Sequence, residues 1–290
     1  MDGDTSIEIV RTVAGLRCYV RGWRDANETV ALVPTMGALH EGHLSLVRRA
    51  RTLANRVCVS LFVNPAQFGP NEDYAVYPRD EAGDAAKLCA LDAVDLLYAP
   101  AIDEMYPEGA LTRVSVAGAG DTLEGEHRPG FFTGVATVVS KLLMQALPDV
   151  ALFGEKDFQQ LLVVRRMVAD LWIPVRIEGV PTVREADGLA LSSRNSYLTA
   201  EQRAVAPALY RVITNVAAGI AAGADPIERA AWAEGELLRA GFDAVDYVAV
   251  RDAETLAPWQ SPPRPGRVLA AARIGKTRLI DNVPLSVTSG

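Results

Sequence analysis

Residues 29–50, TVALVPTMGALHEGHLSLVRRA, read as a buried strand, a glycine-bearing turn with two histidines, and an amphipathic helix. Val30, Leu32 and Val33 form a short apolar run ending at Pro34, as expected of an interior strand of a parallel sheet covered on both faces. Leu44, Val47 and Ala50 recur at helical spacing and leave Arg48 and Arg49 for the outer face. Between strand and helix, Gly37 and Gly42 let the backbone turn sharply and leave room for close approach. His40 and His43 are three residues apart and point the same way where the helix begins. A helix start offers unpaired N–H groups and a partial positive charge, so a phosphate is its natural guest. Two imidazoles there donate hydrogen bonds to phosphoryl oxygens without adding a strongly hydrated cation.

Taken singly, a histidine is most often a surface or satisfied core residue. Here two of the chain's three histidines fall in one glycine-bracketed turn, which argues against that reading. Zinc binding is disfavoured because no nearby cysteine or third histidine completes a site, and the spacing is not that of an H-E-x-x-H helix. Strand, turn and H-x-G-H in this order resemble the signature of the nucleotidylyltransferase superfamily, which attacks the α-phosphorus of ATP.

The 290 residues are enough for one large domain or, better, two, and 49% hydrophobic with 22% charged residues is an ordinary globular composition. A net charge of −7 gives no electrostatic footprint for nucleic acid or an anionic membrane. Cys18, Cys58 and Cys89 are odd in number, far apart and free of any C-x-x-C spacing, so they read as reduced thiols in a cytoplasmic protein. The opening MDGDTSIEIV is acidic and lacks the basic and apolar blocks of a signal peptide. The longest apolar stretch, 134–154, is interrupted by Lys141, Pro148 and Asp149, so no membrane span is expected.

Elsewhere, Ile9, Val10, Val13 and Leu16 suggest a helix over 7–24, with Thr12 on its wet side. VCVSLFV at 57–63 reads as a second interior strand, ending in Asn64-Pro65-Ala66-Gln67-Phe68. Ligands of open parallel sheets sit beyond the carboxyl ends of the strands, which sets Asn64 and Gln67 beside the histidine turn, although Asn-Pro is also a common turn opener. A helix over 80–91, a strand over 94–98, a possible continuation of the sheet at Val114 and Val116, and a helix over 133–147 follow. The polar loop before that last helix contains His127, read as exposed, and Arg128, an anion-binding candidate. A strand at 150–153 leads into Gly154-Glu155-Lys156-Asp157, then a helix to 171. Asp157 and Gln160 match an N-cap and its partner, a purely structural explanation, whereas Lys156 is placed to hold phosphates as a point charge. A strand over 175–180 closes the alternating pattern.

Pro181 to Gly188 then break the pattern and bring in Leu191-Ser192-Ser193-Arg194-Asn195, which suits triphosphate oxygens and a plain connector equally. Thr199 and Gln202 cap a helix to about 220, a second helix covers 227–240, and a strand at 245–250 precedes a hairpin of 268–272 with 277–280. An α/β domain over 1–180 and a smaller α+β domain over 181–290 are therefore expected.

Six segments together resemble one family, the pantothenate synthetases or pantoate–β-alanine ligases: PTMGALHEGH at 34–43, FVNPAQF at 62–68, LEGEHRPGFFTGV at 123–135, GEKDFQQ at 154–160, PTVREADGLALSSRN at 181–195 and RDAETL at 251–256. The resemblance implies an α/β fold with a Rossmann-like parallel sheet in the N-terminal domain, a smaller α+β C-terminal lid, and a homodimer. It implies ATP along Met36, Gly37, Ala38, Leu39, His40, Glu41, Gly42 and His43, against Gly154, Glu155, Lys156 and Asp157, and against Val183, Leu191, Ser192, Ser193 and Arg194. His43 matches the catalytic acid, with His40, Lys156 and Arg194 as charge-stabilising partners, while Gln67 and Gln160 match positions that hold pantoate and Asn64 lines the same pocket. The implied reaction condenses pantoate with β-alanine through a pantoyl adenylate, with Mg²⁺ held mainly by the ATP phosphates and no nucleic acid or membrane partner. Phe131 stands where relatives usually have histidine, Phe158 replaces a common tyrosine and Leu191 a common methionine. Gly83 and Lys87 flank Asp84 where relatives carry acidic residues near magnesium, so no protein metal ligand is assigned. The alternatives are another H-x-G-H nucleotidylyltransferase acting on a phosphorylated acceptor, which would want cations where Asn64, Gln67 and Gln160 stand, and a non-catalytic nucleotide-binding module.

Overall fold

The computed structural model describes residues 7–70, 72–260 and 264–285. The first six residues of the acidic N-terminal stretch and residues 261–263 of the proline-rich loop lie outside the described residues. The chain divides into two compact units, Met1–Glu155 with Val163–Pro181, and Lys156–Leu162 with Thr182–Gly290.

In the first unit, β1 (Ile9–Val10) and α1 (Val13–Asp25) precede β2 (Val30–Thr35), α2 (Glu41–Arg51) and β3 (Arg56–Leu61). Next come α3 (Glu81–Ala90), β4 (Leu96–Tyr98), the short α4 (Ile102–Met105) and α5 (Glu124–His127), and α6 (Phe131–Ala146). They are followed by β5 (Val150–Gly154), α7 (Phe158–Asp170), whose residues 158–162 group with the second unit, and β6 (Arg176–Val180). The sheet is parallel throughout, in the order β1-β4-β3-β2-β5-β6. The chain winds outward from β2 through β3 to β4, then returns to β2's other side for β5 and β6. That reversal between β2 and β5 is a switch point, beyond whose carboxyl ends doubly wound sheets bind ligands.

Strand alternation distributes the core over both faces. Ala31, Val33, Val57, Val59, Leu97 and Leu152 pack with Leu46, Val47 and Ala50 of α2 and Leu88 of α3. Leu32, Cys58 and Leu96, the intervening positions, are fully buried toward the opposite face.

Four details depart from the sequence reading. Ile9 and Val10 do not open a helix: they pair with Leu97 and Tyr98 as an edge strand, and Thr12 caps α1, its Oγ1 accepting from Gly15 N–H at 3.1 Å. A two-residue strand carries too little pattern to be told from a helical turn. β2 runs through Pro34 to Thr35, because even-numbered β2 residues face β5, which registers only with Ala31 and Leu32, so no ladder bond is asked of the missing N–H. Val114 and Val116 lie outside the sheet, with the Val114 N–H donating to Thr137 Oγ1 at 3.0 Å instead of to a strand. Finally, the expected helix over 199–220 is two, α8 (Ala200–Val205) and α9 (Ala208–Ala221), because Pro207 interrupts the ladder.

The rest of the second unit is α10 (Pro226–Ala240) and an antiparallel sheet of β7 (Ala244–Asp252), β8 (Gly266–Ile274) and β9 (Thr277–Pro284). Gly275, at φ +57°, lets β8 and β9 join through a two-residue turn. Residues Ala200–Ala221 are long and apolar enough to cross a membrane by composition alone. Here Leu209, Val212, Ile213, Val216 and Ile220 of that stretch are buried with Leu237, Val268, Ala270 and Ala272 in the unit's core.

Cys58 is fully buried in β3, and burial, reinforced by Asp95, pushes its thiol up to about 12, whereas Cys18 is exposed. A maleimide at neutral pH is expected to label Cys18 in the folded protein and Cys58 only after denaturation, as read by peptide mass spectrometry. Equal labelling rates would contradict the buried strand.

Candidate functional site

The turn after β2 is tightly specified. Gly37 (φ +83°) and Ala38 (φ +52°) both take left-handed backbone conformations, an uncommon one for alanine. His40 then caps α2: its Nδ1 accepts from Gly42 N–H at 3.1 Å, while His43 Nδ1 accepts from His40 N–H at 3.3 Å. The two histidines thereby form a capping box in which side chain and backbone reciprocate. Their rings lie 4.2 Å apart between centroids. Because each Nδ1 accepts, a neutral ring carries its proton on Nε2. Met36 and Leu39 are turned into the protein to different degrees, Leu39 fully buried. The Glu41 side chain is exposed and pairs with Arg48, so what Glu41 brings to the helix start is its backbone.

Beside the turn, β3 ends in a single 3₁₀ turn, Pro65–Gln67, capped by Asn64. Asn64 is 1% exposed. Its Oδ1 accepts from Ala66 N–H and Tyr106 OH (3.2 and 2.8 Å), and its Nδ2 donates to Gln67 Oε1 and Gly134 O (3.0 and 3.2 Å). Both lone pairs and both N–H groups are thus engaged inside the protein, so Asn64 acts by fixing Gln67. Gln67 Nε2 in turn donates to Met36 Sδ at 3.0 Å, which ties this loop to the histidine turn. Gly134 on α6 permits the approach: a Cβ there would stand 2.2 Å from Ala66 O and 2.8 Å from Gln67 Cα. Burial pushes the Tyr106 phenol up to about 12, so it stays a donor to Asn64 at any ordinary pH.

Arg128, an anion-binding candidate from sequence, is already committed. It pairs with Glu72 at 2.5 Å and Glu124 at 3.3 Å, donates to Gln67 O at 3.2 Å, and lies 3.7 Å from the centroid of the Phe131 ring. Phe131 therefore serves as a platform for this guanidinium. Gly154 ends β5 next to β2, and Glu155 opens the following 3₁₀ turn.

Within the second unit, Lys156 and Asp157 occupy that turn, with Lys156 Nζ 3.8 Å from Asp157 Oδ1, and Gln160 follows in α7. The Lys156 carbonyl accepts from Asn282 Nδ2 at 2.9 Å, and Arg267 donates to Asn282 Oδ1 at 2.5 Å while covering the Phe158 ring at 3.9 Å. Residues 183–191 double back, Leu191 N–H donating to Val183 O at 3.0 Å, and Ser192 then caps the 3₁₀ turn Ser193–Tyr197 that carries Arg194. This loop is staked down by Arg184, bidentate to Asp281 at 2.6 and 2.8 Å, and by Arg203, which pairs with Glu185 and Asp187. It is an anchored structure, not a slack connector.

Asn282, Asp281, Tyr106 and Gly134 escaped the sequence reading. Asp281 and Asn282 did carry a signal, two polar residues adjacent within the apolar strand RLIDNV, both buried. Tyr106 and Gly134 become visible only when long-range packing brings them to Asn64 and Ala66. Among the described residues no group of three or more His, Cys, Asp or Glu side chains is arranged to hold a metal. Around Asp84, the Lys87 ammonium at 3.4 Å puts a cation where a magnesium cradle requires further anions, so these residues do not fit one.

The class defined by this architecture is that of α/β proteins with a capped H-x-G-H turn at the switch point of a doubly wound parallel sheet. A family model described as pantoate-beta-alanine ligase matches residues 8–284, and the chain belongs to that family. It is 62% identical to a pantothenate synthetase of Paramagnetospirillum magneticum, over 96% of this chain and 98% of the relative. The crystal structure of pantothenate synthetase from Thermus thermophilus superposes with a TM-score of 0.88 at 50% identity, covering 96% of this chain and 99% of that one. That of the pantoate-beta-alanine ligase from Francisella tularensis, complexed with beta-gamma ATP and beta-alanine, gives 0.81 at 33% identity, covering 96% and 98%.

Gly134→Ala is expected to push the Pro65–Gln67 turn away from α6, lowering stability by about 1–3 kcal/mol, the usual cost of overpacking. Thermal unfolding checks this, and an unchanged midpoint would show that the contact yields freely.

Proposed function

We propose that the chain condenses pantoate with β-alanine, using ATP, through a pantoyl adenylate. The observation carrying this reading is the capped pair His40 and His43 at a helix start on the switch point, tied through Met36 to the neutral amide of Gln67. A pantoate carboxylate oxygen attacks the α-phosphorus, and the bond to pyrophosphate breaks. The β-alanine amine then attacks the acyl carbon, the bond to AMP breaks, and the amine loses a proton to solvent. The acid supplies its own nucleophile, so the protein contributes alignment and charge stabilisation.

In this reading residues 36–43 and 154–157 contact the triphosphate, and Val183 and residues 191–194 contact the nucleotide. In the division read from the sequence, residues 1–180 carry most of the nucleotide- and pantoate-binding groups and residues 181–290 form the lid. The Nε2–H groups of His40 and His43, with the cations of Lys156 and Arg194, balance charge on the phosphoryl oxygens, His43 acting as the acid. Gln67 and Gln160 bind pantoate as uncharged donors beside a polyanion, and Asn64 holds Gln67 in register. Mg²⁺ would be held mainly by the ATP phosphates and would supply charge neutralisation there. A homodimer is what the resemblance implies, testable by sedimentation, and the free thiols support a cytoplasmic setting.

His43→Ala and Lys156→Ala are each expected to slow adenylate formation by about 10²-fold or more, the scale of losing one transition-state donor. Pantoate-dependent pyrophosphate release reads this, and near-normal rates in both would remove them from the chemistry. Gln67→Ala is expected to weaken pantoate binding and leave ATP binding intact, which calorimetry with each ligand can contradict.

A further inference from the structure

The histidine turn is gripped from below by a pair of side chains that the reaction scheme does not use. On α3, Asp84 and Lys87 stand one turn apart, and both reach Leu39, the residue between left-handed Ala38 and the cap His40. Asp84 Oδ1 accepts from Leu39 N–H at 2.8 Å, and Lys87 Nζ donates to Leu39 O at 2.8 Å. The ammonium also lies 3.4 Å from Asp84 Oδ1, so carboxylate and ammonium brace each other while holding the donor and the acceptor of one residue. The Asp84 side chain is fully buried, and its Oδ2 makes no hydrogen bond. That oxygen lies 3.1 Å from the point where a Cβ on Gly37 would stand.

A buried carboxylate is costly unless paired, and a left-handed alanine persists only where its surroundings over-determine the backbone. The two costs meet at Leu39. Holding its N–H and its C=O fixes the peptide planes on either side, and the plane after Leu39 ends in the His40 N–H that binds His43 Nδ1. A shift of the Leu39 peptide is therefore passed to both imidazoles.

We infer that Asp84 and Lys87 are positioning residues, a charged clamp on Leu39 that sets the orientation of His40 and His43. The clamp rests on the reading of those histidines as the triphosphate-binding pair. Lys87 works through the backbone it holds and Asp84 through the same residue. The half-exposed Lys87 is the better handle for testing, since its replacement leaves the core intact.

The test compares Lys87→Met, Lys87→Arg, Asp84→Asn and the Asp84→Asn/Lys87→Met double variant with His43→Ala. Single-turnover pyrophosphate release with ATP and pantoate gives the rate. Two-bond proton–nitrogen NMR gives the histidine tautomers, a spectrum simplified by there being only three histidines. Lys87→Met is expected to lower the rate about ten- to a hundredfold, as misplacement of a catalytic group does, with KM for ATP within about twofold of the parent. The His40 and His43 signals are expected to move away from the pure Nε2–H form while His127 stays put, and Lys87→Arg is expected to restore both readouts in large part. The double variant is expected to be no slower than the slower single one, because both act on one peptide. Parental rate and histidine spectra in Lys87→Met would overturn the clamp, as would a raised KM for ATP at unchanged kcat, the mark of direct phosphate binding. Additive losses in the double variant would overturn it as well. If His43→Ala turned over normally, the reading of the site would fail while the spectra still judged the clamp.

Discussion

Reciprocal capping between His40 and His43 is the constraint on which the geometry of the turn after β2 depends. A helix start must find partners for its first N–H groups, and here the partners are the imidazoles themselves. The bonds that begin α2 therefore also fix both rings and their tautomers. An Asp cap would satisfy the same backbone groups but bring a negative charge and no donor, whereas a neutral imidazole accepting through Nδ1 keeps an Nε2–H. The parallel sheet brings the turn to the switch point, and the 3₁₀ turn capped by Asn64 meets it through Gln67 and Met36.

The second unit uses charge differently. Arg184 and Arg203 are matched to Asp281, Glu185 and Asp187, so they hold the loop over 183–195 in shape. Arg184 also lies 3.8 Å from the Tyr210 ring centroid. The Arg184–Asp281 pair is bidentate and largely buried, a geometry that specifies one arrangement of the loop. Asn282 does the same for Lys156 by holding its carbonyl. A net charge of −7 is compatible with a polyanionic substrate, because exposed charges farther away than a Debye length are largely screened.

Much of this was legible in the sequence wherever a short segment determines its own structure. The strand, glycine turn and histidine-capped helix over 29–50 need only local periodicity and caps, as do the Thr199–Gln202 capping box and the Gly275 hairpin. Local signals failed where tertiary contacts decide. Ile9 and Val10 belong to a strand because β4 presents an edge, Pro34 survives inside β2 because β5 does not pair beside it, and Val114 leaves the sheet for Thr137. At the site, Gln67 and the histidines stood out by type and place. Asn64 proved to be a brace, and Arg128 was neutralised by Glu72, distant in sequence, and by Glu124 one helical turn before it. The clamp of Asp84 and Lys87 on Leu39 joins segments more than forty residues apart and had no local mark.

Activation of the acid at the α-phosphorus is tested most directly by following its oxygen. Pantoate labelled with heavy oxygen in the carboxylate is turned over with ATP and β-alanine, and the nucleotide product is weighed by mass spectrometry. Attack on the α-phosphorus predicts AMP carrying one label, left behind when the amine displaces it. Unlabelled AMP, or label appearing in inorganic phosphate alongside ADP, would mean that a different phosphorus is attacked and would contradict the adenylate.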